Sequence, residues 1–191
     1  LSVNPKFNFN DEDFLEKLKE CKKINLMDQG KILAIKGISH ASAALQGAEV
    51  AERQTRSAKS FLKEMECAVD IKSEYVDTLS VGTGITLWAV FTEKDETDYF
   101  NPIILGADVL GEKGVKSEIV GKKVANNLLD EIKMGSVVDK YSADMILPFL
   151  GLIKGSMKTS EITNHTKTNI YTIGKFLGDI FSVKDTVIEC N

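Results

Sequence analysis

His165 and the residues that follow it carry the chain's first suggestion of chemistry. It is one of two histidines. It stands in Ser160-Glu161-Ile162-Thr163-Asn164-His165-Thr166-Lys167-Thr168-Asn169, where alternation gives way to a helical pattern. Upstream, residues 157–162 read as a short strand. Downstream, Ile170, Ile173, Phe176 and Leu177 recur at helical spacing and predict a helix over 168–178. Thr166 or Thr168 can cap it, because a hydroxyl there accepts from an orphaned backbone N–H. His165 therefore lies on or just before a helix N-terminus. That end carries partial positive charge and free N–H donors, a field that disfavours imidazolium and attracts anions such as phosphate. A neutral imidazole beside bound phosphate is a nucleophile for phosphoryl or nucleotidyl transfer. Taken alone, a single histidine at a strand–helix junction is more often a surface or capping residue.

Tyr141 and Asp144 are spaced i, i+3, hence on one face of a helix. A tyrosine stacks on a purine, and an aspartate binds a ribose, an amino group or a metal-bound phosphate. Both types are also ordinary at a helix start. Lys154, Lys158 and Lys167 lie close to His165 in sequence and suit phosphates, though three lysines in a surface stretch are unremarkable by themselves. Gly82-Thr83-Gly84 lacks the Lys-Ser/Thr of a phosphate loop and reads as a turn into a strand. Gly111 to Gly114 is another turn. His40 follows a strand without a matching motif and reads as structural or solvent-exposed. Glu49, Glu52, Arg53, Arg56 and Lys59 form a solvated helix face with i, i+4 pairs.

These residues must be held by regular elements. Asp11, Glu12 and Asp13 open a short helix over 10–22. Residues 31–36 predict a strand. Residues 43–65 predict one long helix with Val50, Gln54, Ala58, Phe61, Leu62 and Met65 on one face. Residues 67–75 alternate as a half-buried strand, and 85–92 form an apolar central strand. A charged turn at 93–98 leads to a strand from Tyr99 to Ala107. Residues 115–134 predict a helix with Val120, Val124, Leu128 and Ile132 inward, closed by Gly135. From Lys31 the order is β-α-β-β-β-α: two helices on a mainly antiparallel sheet. A second set follows. Residues 137–153 predict a helix that Pro148 kinks or ends. The strand before His165, its helix and a last strand over 181–189 complete an α-β-α-β set, too small for a full core.

Composition narrows the class. The chain has 191 residues, 43% of them hydrophobic, enough for one large or two small domains. A net charge of −4 supplies no overall basic field for nucleic acid, so RNA would need a local patch. No apolar run reaches the roughly 18 residues of a membrane span. The three cysteines, Cys21, Cys67 and Cys190, are far apart and form no C-x-x-C. That argues against a disulfide framework or structural zinc and for a reducing, cytoplasmic setting. Residues 1–5 read as the end of a strand cut from something upstream, with no secretory signal.

The motifs also resemble a known family. His165-Thr166-Lys167-Thr168-Asn169, an H-x-x-T-N pattern, is similar to the active-site segment of the RNA 3′-terminal phosphate cyclases. Tyr141-Ser142-Ala143-Asp144-Met145-Ile146-Leu147-Pro148 resembles that family's Y-x-A-D-Q-L-L-x-P stretch, at the family's distance from the histidine. Residues 37–53 resemble a segment ending V-A-E-R, and residues 81–88 resemble a G-x-G-x-x-L-W strand opening. The ordered set covers nearly the whole chain. It implies an α/β (α+β) fold, in which residues 22–136 are an inserted α/β domain. Residues 1–21 and 137–191 would then belong to a larger domain of repeated βα units.

The resemblance further implies ATP-dependent conversion of an RNA 3′-phosphate to a 2′,3′-cyclic phosphate through a histidine-AMP intermediate. His165 would be the nucleophile, and Tyr141, Ser142, Ala143, Asp144 and Met145 the ATP-binding stretch. Asn169, Thr168 or a backbone carbonyl would hold the second ring nitrogen. ATP, a divalent metal (magnesium or manganese) and RNA 3′-phosphate ends are the implied ligands. An N-terminal portion of the same protein would supply further phosphate and metal contacts. No membrane partner is expected, and self-association is left open. Met145 stands where the family usually has glutamine, and a thioether cannot pair with an adenine edge. Two rivals are weighed: a catalytically silent relative in ribosomal RNA processing, marked by loss of the histidine, and a carboxyvinyl transferase, which needs no H-x-x-T-N.

Overall fold

Acidic residues lead into the first helix, α1 (Phe14–Lys19), which is shorter at both ends than the sequence predicts. Lys17 Nζ holds Asp11 and Asp13, each at 2.9 Å. A short strand, β1 (Ile24–Leu26), follows. The computed structural model describes residues 10–92 and 103–190. The strand end expected at residues 1–5, the charged turn at 93–98 and the expected strand residues before Ile103 lie outside the described residues. The chain divides into two compact units, Asp28–Asp139 and Leu1–Met27 with Lys140–Asn191.

The Asp28–Asp139 unit has the predicted order. β2 (Lys31–Ser42) runs six residues past its expected end. Its inward positions Gly37, Ser39 and Ala41 are small, so the strand passes close under its neighbours. A Cβ at Gly37 would sit 2.8 Å from the Thr86 carbonyl oxygen. The helix expected over 43–65 is broken in two: a 3-10 turn (Ala43–Ala48), then α2 (Val50–Phe61). Glu49, at φ 50, makes the break. The buried face of α2 is Ala51, Gln54, Thr55 and Ala58, while Phe61 is exposed beneath Lys122 Nζ, 4.9 Å from its ring centroid.

β3 (Ala68–Val76), β4 (Thr83–Thr92) and β5 (Ile103–Leu110) join β2 in the order β3-β2-β4-β5. Only β2–β3 is parallel. α3 (Ser117–Lys133) closes the unit. Both helices cover one face of the sheet, over a core of Ile35, Leu62, Leu87, Leu105, Val124 and Leu128, all 0% exposed. α2 and α3 run in the same direction and touch at Gly121, where a Cβ would fall 2.9 Å from Ser57 Cβ and 3.1 Å from Ala58 N. Gln29 Nε2 donates to the Ser136 carbonyl at 2.8 Å and ties the start of the unit to its end.

The other unit resumes at α4 (Ser142–Ile153), five residues later than predicted. Of the two outcomes expected at Pro148, a kink or an end, the helix does not end there. Then come β6 (Gly155–Lys158), α5 (Asn164–Leu177), β7 (Phe181–Lys184) and β8 (Val187–Cys190). The single last strand expected over 181–189 is instead a hairpin, turned at Asp185 with φ 54. The sheet order is β1-β6-β8-β7, with β1–β6 parallel. Leu147, Leu150, Met157 and Ile188 are fully buried. Gly151 lets α4 approach α5, since even a Cβ there would lie 3.3–3.4 Å from Leu177, Ile173 and Phe181. The molecule is thus α/β with two mixed sheets. No helix among the described residues is long and apolar enough to cross a membrane.

Candidate functional site

The strand before His165 ends at Lys158, and the helix begins at Asn164 rather than at Thr168. Its cap is Thr163, whose hydroxyl accepts from the Thr166 N–H at 3.1 Å. The predicted caps are engaged elsewhere. Thr166 is fully buried, with its hydroxyl 3.0 Å from that of Thr163. Thr168 Oγ1 donates back to the Asn164 carbonyl at 2.8 Å. His165 is therefore the second residue of α5 and is exposed. The Thr166 and Lys167 N–H groups go to Thr163. Those of Asn164 and His165 are left without an acceptor among the described residues, as is the His165 ring. An uncommitted imidazole on an open helix N-terminus can meet an anion.

Tyr141 is the N-cap residue of α4, with its side chain 65% exposed and Lys140 Nζ 5.4 Å from its ring centroid. Ser142 and Asp144 are half-buried, Ala143 is buried and Met145 points to solvent. Pro148 gives the key to this helix. Proline has no N–H, so the carbonyl four residues back, that of Asp144, loses its helical donor. Asn169 Nδ2 supplies one instead, at 3.1 Å. The helix therefore continues to Ile153, and the first turn of α4 is joined to the second turn of α5. His165 and Asn169, spaced i, i+4, share the face of α5 that makes this link. A second tie runs from Lys140 Nζ to Glu161, at 3.9 Å. The two segments singled out in the sequence are thus held together. The ring-holding role considered for Asn169 or Thr168 is not what their donors do: Asn169 serves the Asp144 carbonyl and Thr168 that of Asn164.

Two residues at this end are not among those the sequence singles out. Thr159 and Ser160, in the connection from β6 to α5, are 1% and 9% exposed, and their hydroxyls have no partner among the described residues. A polar pair where the strand pattern called for an apolar residue was the available clue. The three lysines do not form one cluster. Lys154 sits at the far end of α4 from Tyr141, with Nζ 3.6 Å from Cys190 Sγ. Lys158 lies in β6, and Lys167 is exposed on α5. His40 is exposed on the sheet face away from the helices, beside Gly84. Among the described residues no three of His, Cys, Asp and Glu gather as a metal site.

Comparison with known proteins adds an independent finding. Residues 27–133 match the family model described as RNA 3′-terminal phosphate cyclase (RTC), insert domain. A curated protein of Pyrococcus abyssi named RNA 3′-terminal phosphate cyclase is 40% identical over 176 residues, 92% of this chain and 48% of that protein. Proteins of the same name from Pyrococcus furiosus and Thermococcus kodakarensis are 38% and 37% identical, over 89% and 91% of this chain and 46% and 48% of theirs. The chain spans about half the length of the curated relatives it matches.

Proposed function

This chain belongs to the RNA 3′-terminal phosphate cyclase family, and we propose that it carries the nucleotide-transfer end of an ATP-dependent enzyme that cyclises RNA 3′-phosphates. The observation that carries the reading is the Asn169–Asp144 bond, which joins the His165 helix to the Tyr141–Met145 turn. In this reading the exposed Tyr141 ring offers a stacking surface to adenine, and the open N-terminus of α5 faces the phosphates. With Met145 in place of a paired hydrogen-bonding amide, base selectivity falls to stacking and backbone groups.

The chemistry divides one hard step into easier ones. A ring nitrogen of His165 attacks the α-phosphorus of ATP. The N–P bond forms, the bond to the bridging oxygen breaks, and pyrophosphate leaves with the electron pair. An oxygen of the RNA 3′-phosphate then takes AMP from the ring, restoring the imidazole. The neighbouring 2′-hydroxyl attacks that 3′-phosphorus, loses its proton, closes the cyclic ester and expels AMP. A divalent ion, magnesium or manganese, would neutralise charge on the ATP phosphates; among the described residues no three of His, Cys, Asp and Glu gather to hold it.

The test uses ATP labelled at the α-phosphate, with either metal ion, on the whole gene product containing this chain. An acid-labile, alkali-stable adduct is expected, as for a phosphoramidate. His165→Ala should abolish both adduct and cyclisation, while stability changes by no more than about 0.5 kcal/mol at this exposed position. An alanine variant that still takes up label would move the covalent role to another side chain. An intact protein that binds RNA but takes up no label would replace the enzyme reading with the RNA-processing one.

A further inference from the structure

β3 is an edge of the sheet in the Asp28–Asp139 unit, bonded to β2 alone among the described residues. Its nine residues contain no proline and no glycine. They pair with β2 in one unbroken register, without the shift that interrupts the β2–β4 pair. The strand is therefore long and regular, and no bulge turns its outer side away. On an edge strand every second residue points its N–H and C=O away from the sheet. Among the described residues, no other segment's backbone bonds to these groups. Such an edge is a template for another strand.

The side chains decide which strand fits. Ile71 packs into the core beneath the helices, so Asp70, Lys72 and Glu74 share the opposite face of the sheet. All three are exposed, and their charges alternate in sign. None of them is in an ion pair among the described residues. Charge on an edge ordinarily repels a foreign strand. Here the alternation selects one. Directly opposite residues of an antiparallel pair share a face. A second β3 centred on Ile71 sets Asp70 against Lys72 of the other copy, and Lys72 against its Asp70. Centring on Ser73 sets Lys72 against Glu74 in the same reciprocal way. Centring on Lys72 would oppose Lys72 to itself and Asp70 to Glu74, which is unfavourable. The strand is thus complementary to itself in two registers and repels itself in the one between them.

We propose that β3 is a self-association surface, along which two copies of this chain pair antiparallel about a twofold axis and their sheets run on as one. The axis makes every contact occur twice, so either register supplies a reciprocal set of opposite-charge pairs. Lys72 is the member common to both. Because opposite residues share a face, α2 of each copy lies on the same side of the joined sheet. The pairing uses no residue of the nucleotide-transfer site, so either reading can fail without the other.

The test follows the whole gene product containing this chain by sedimentation equilibrium over a range of concentrations at low salt. A reversible monomer–dimer equilibrium is expected. Hydrogen exchange should show the β3 amides gaining protection as concentration rises. Lys72→Glu places three acids in a row and should raise the dissociation constant by about tenfold or more. Asp70→Lys, Lys72→Glu and Glu74→Lys made together reverse every sign and should restore dimerisation. All three positions are exposed, so circular dichroism and melting should match the parent and keep the variants comparable. A protein that stays monomeric throughout would overturn the proposal. So would a dimer that Lys72→Glu leaves equally tight, that the triple reversal fails to restore, or whose β3 amides gain no protection.

Discussion

Pro148 removes one backbone donor from α4, and the side chain of Asn169 replaces it at the Asp144 carbonyl. The two residues are therefore energetically coupled. Asn169→Ala should cost about 1 kcal/mol, the net worth of one hydrogen bond. Pro148→Ala restores an N–H to the helix, so in that background Asn169→Ala should cost close to nothing. A urea-unfolding double-mutant cycle measures the difference. Equal costs in both backgrounds would show that the bond is incidental. The placement of His165 at a helix start was legible from the change of periodicity around it. Its cap was not, because three threonines within six residues compete, and burial of Thr166 against the interior decides among them. Nor was the partner of Asn169 legible. It is fixed by a proline in another helix, which sequence reasoning treats only as a breaker. The buried hydroxyls of Thr159 and Ser160 were hidden for a similar reason, since burial of a polar residue depends on what tertiary structure lays over it.

The elements of the Asp28–Asp139 unit follow their periodicity closely, because each is long enough to show a full pattern. The departures have local causes. Glu49 in the left-handed region divides one predicted helix into a 3-10 turn and α2. The α2–α3 contact depends on Gly121, where any side chain meets the Gln54 carbonyl and Ser57. Gly121→Ala should destabilise the protein by about 1–3 kcal/mol, as overpacking does, in spite of alanine's higher helix propensity. Calorimetric unfolding that leaves the variant equal to or above the parent would contradict this close approach. Nearby, Arg53 clamps Glu118 across the same pair of helices. Its hydrogen bonds, then the residue's own backbone N–H, hold the Glu118 carboxyl down to about 2 from 4.5. A depressed carboxyl stabilises the fold fully above its ordinary value, and loses that contribution as pH falls from about 4.5 through about 2. Replacing Glu118 with Gln should therefore flatten the dependence of the melting temperature on pH within that window and leave the slope above pH 5 unchanged. An unaltered acid slope would show the clamp to be thermodynamically silent.

At the scale of the whole chain, the sequence pattern marks two sets of elements but does not show how the second is completed. β1 and β6 are three and four residues long, too short for alternation to be read. Their parallel register, Ile24 opposite Gly155, joins positions on either side of the complete Asp28–Asp139 unit. That pairing bears on the order in which the protein assembles. If the chain closed β1 on β6 first, it would have to bring together ends separated by the whole intervening unit. If the unit forms first, its Gln29–Ser136 bond already holds the two flanks near each other. The remaining loop is then several-fold shorter, which lowers the entropic barrier to closure by roughly 1.5 kcal/mol. Pulse-labelled hydrogen exchange during refolding should accordingly protect the amides of Ile35 and Leu87 before those of Asn25 and Met157. The reverse order would mean that β1 finds its partner without help. With the expected order, β1 of a newly made chain waits without its partner strand until residue 158 has been synthesised, and the sheet that β1 opens is complete only when β8, the last strand, has followed.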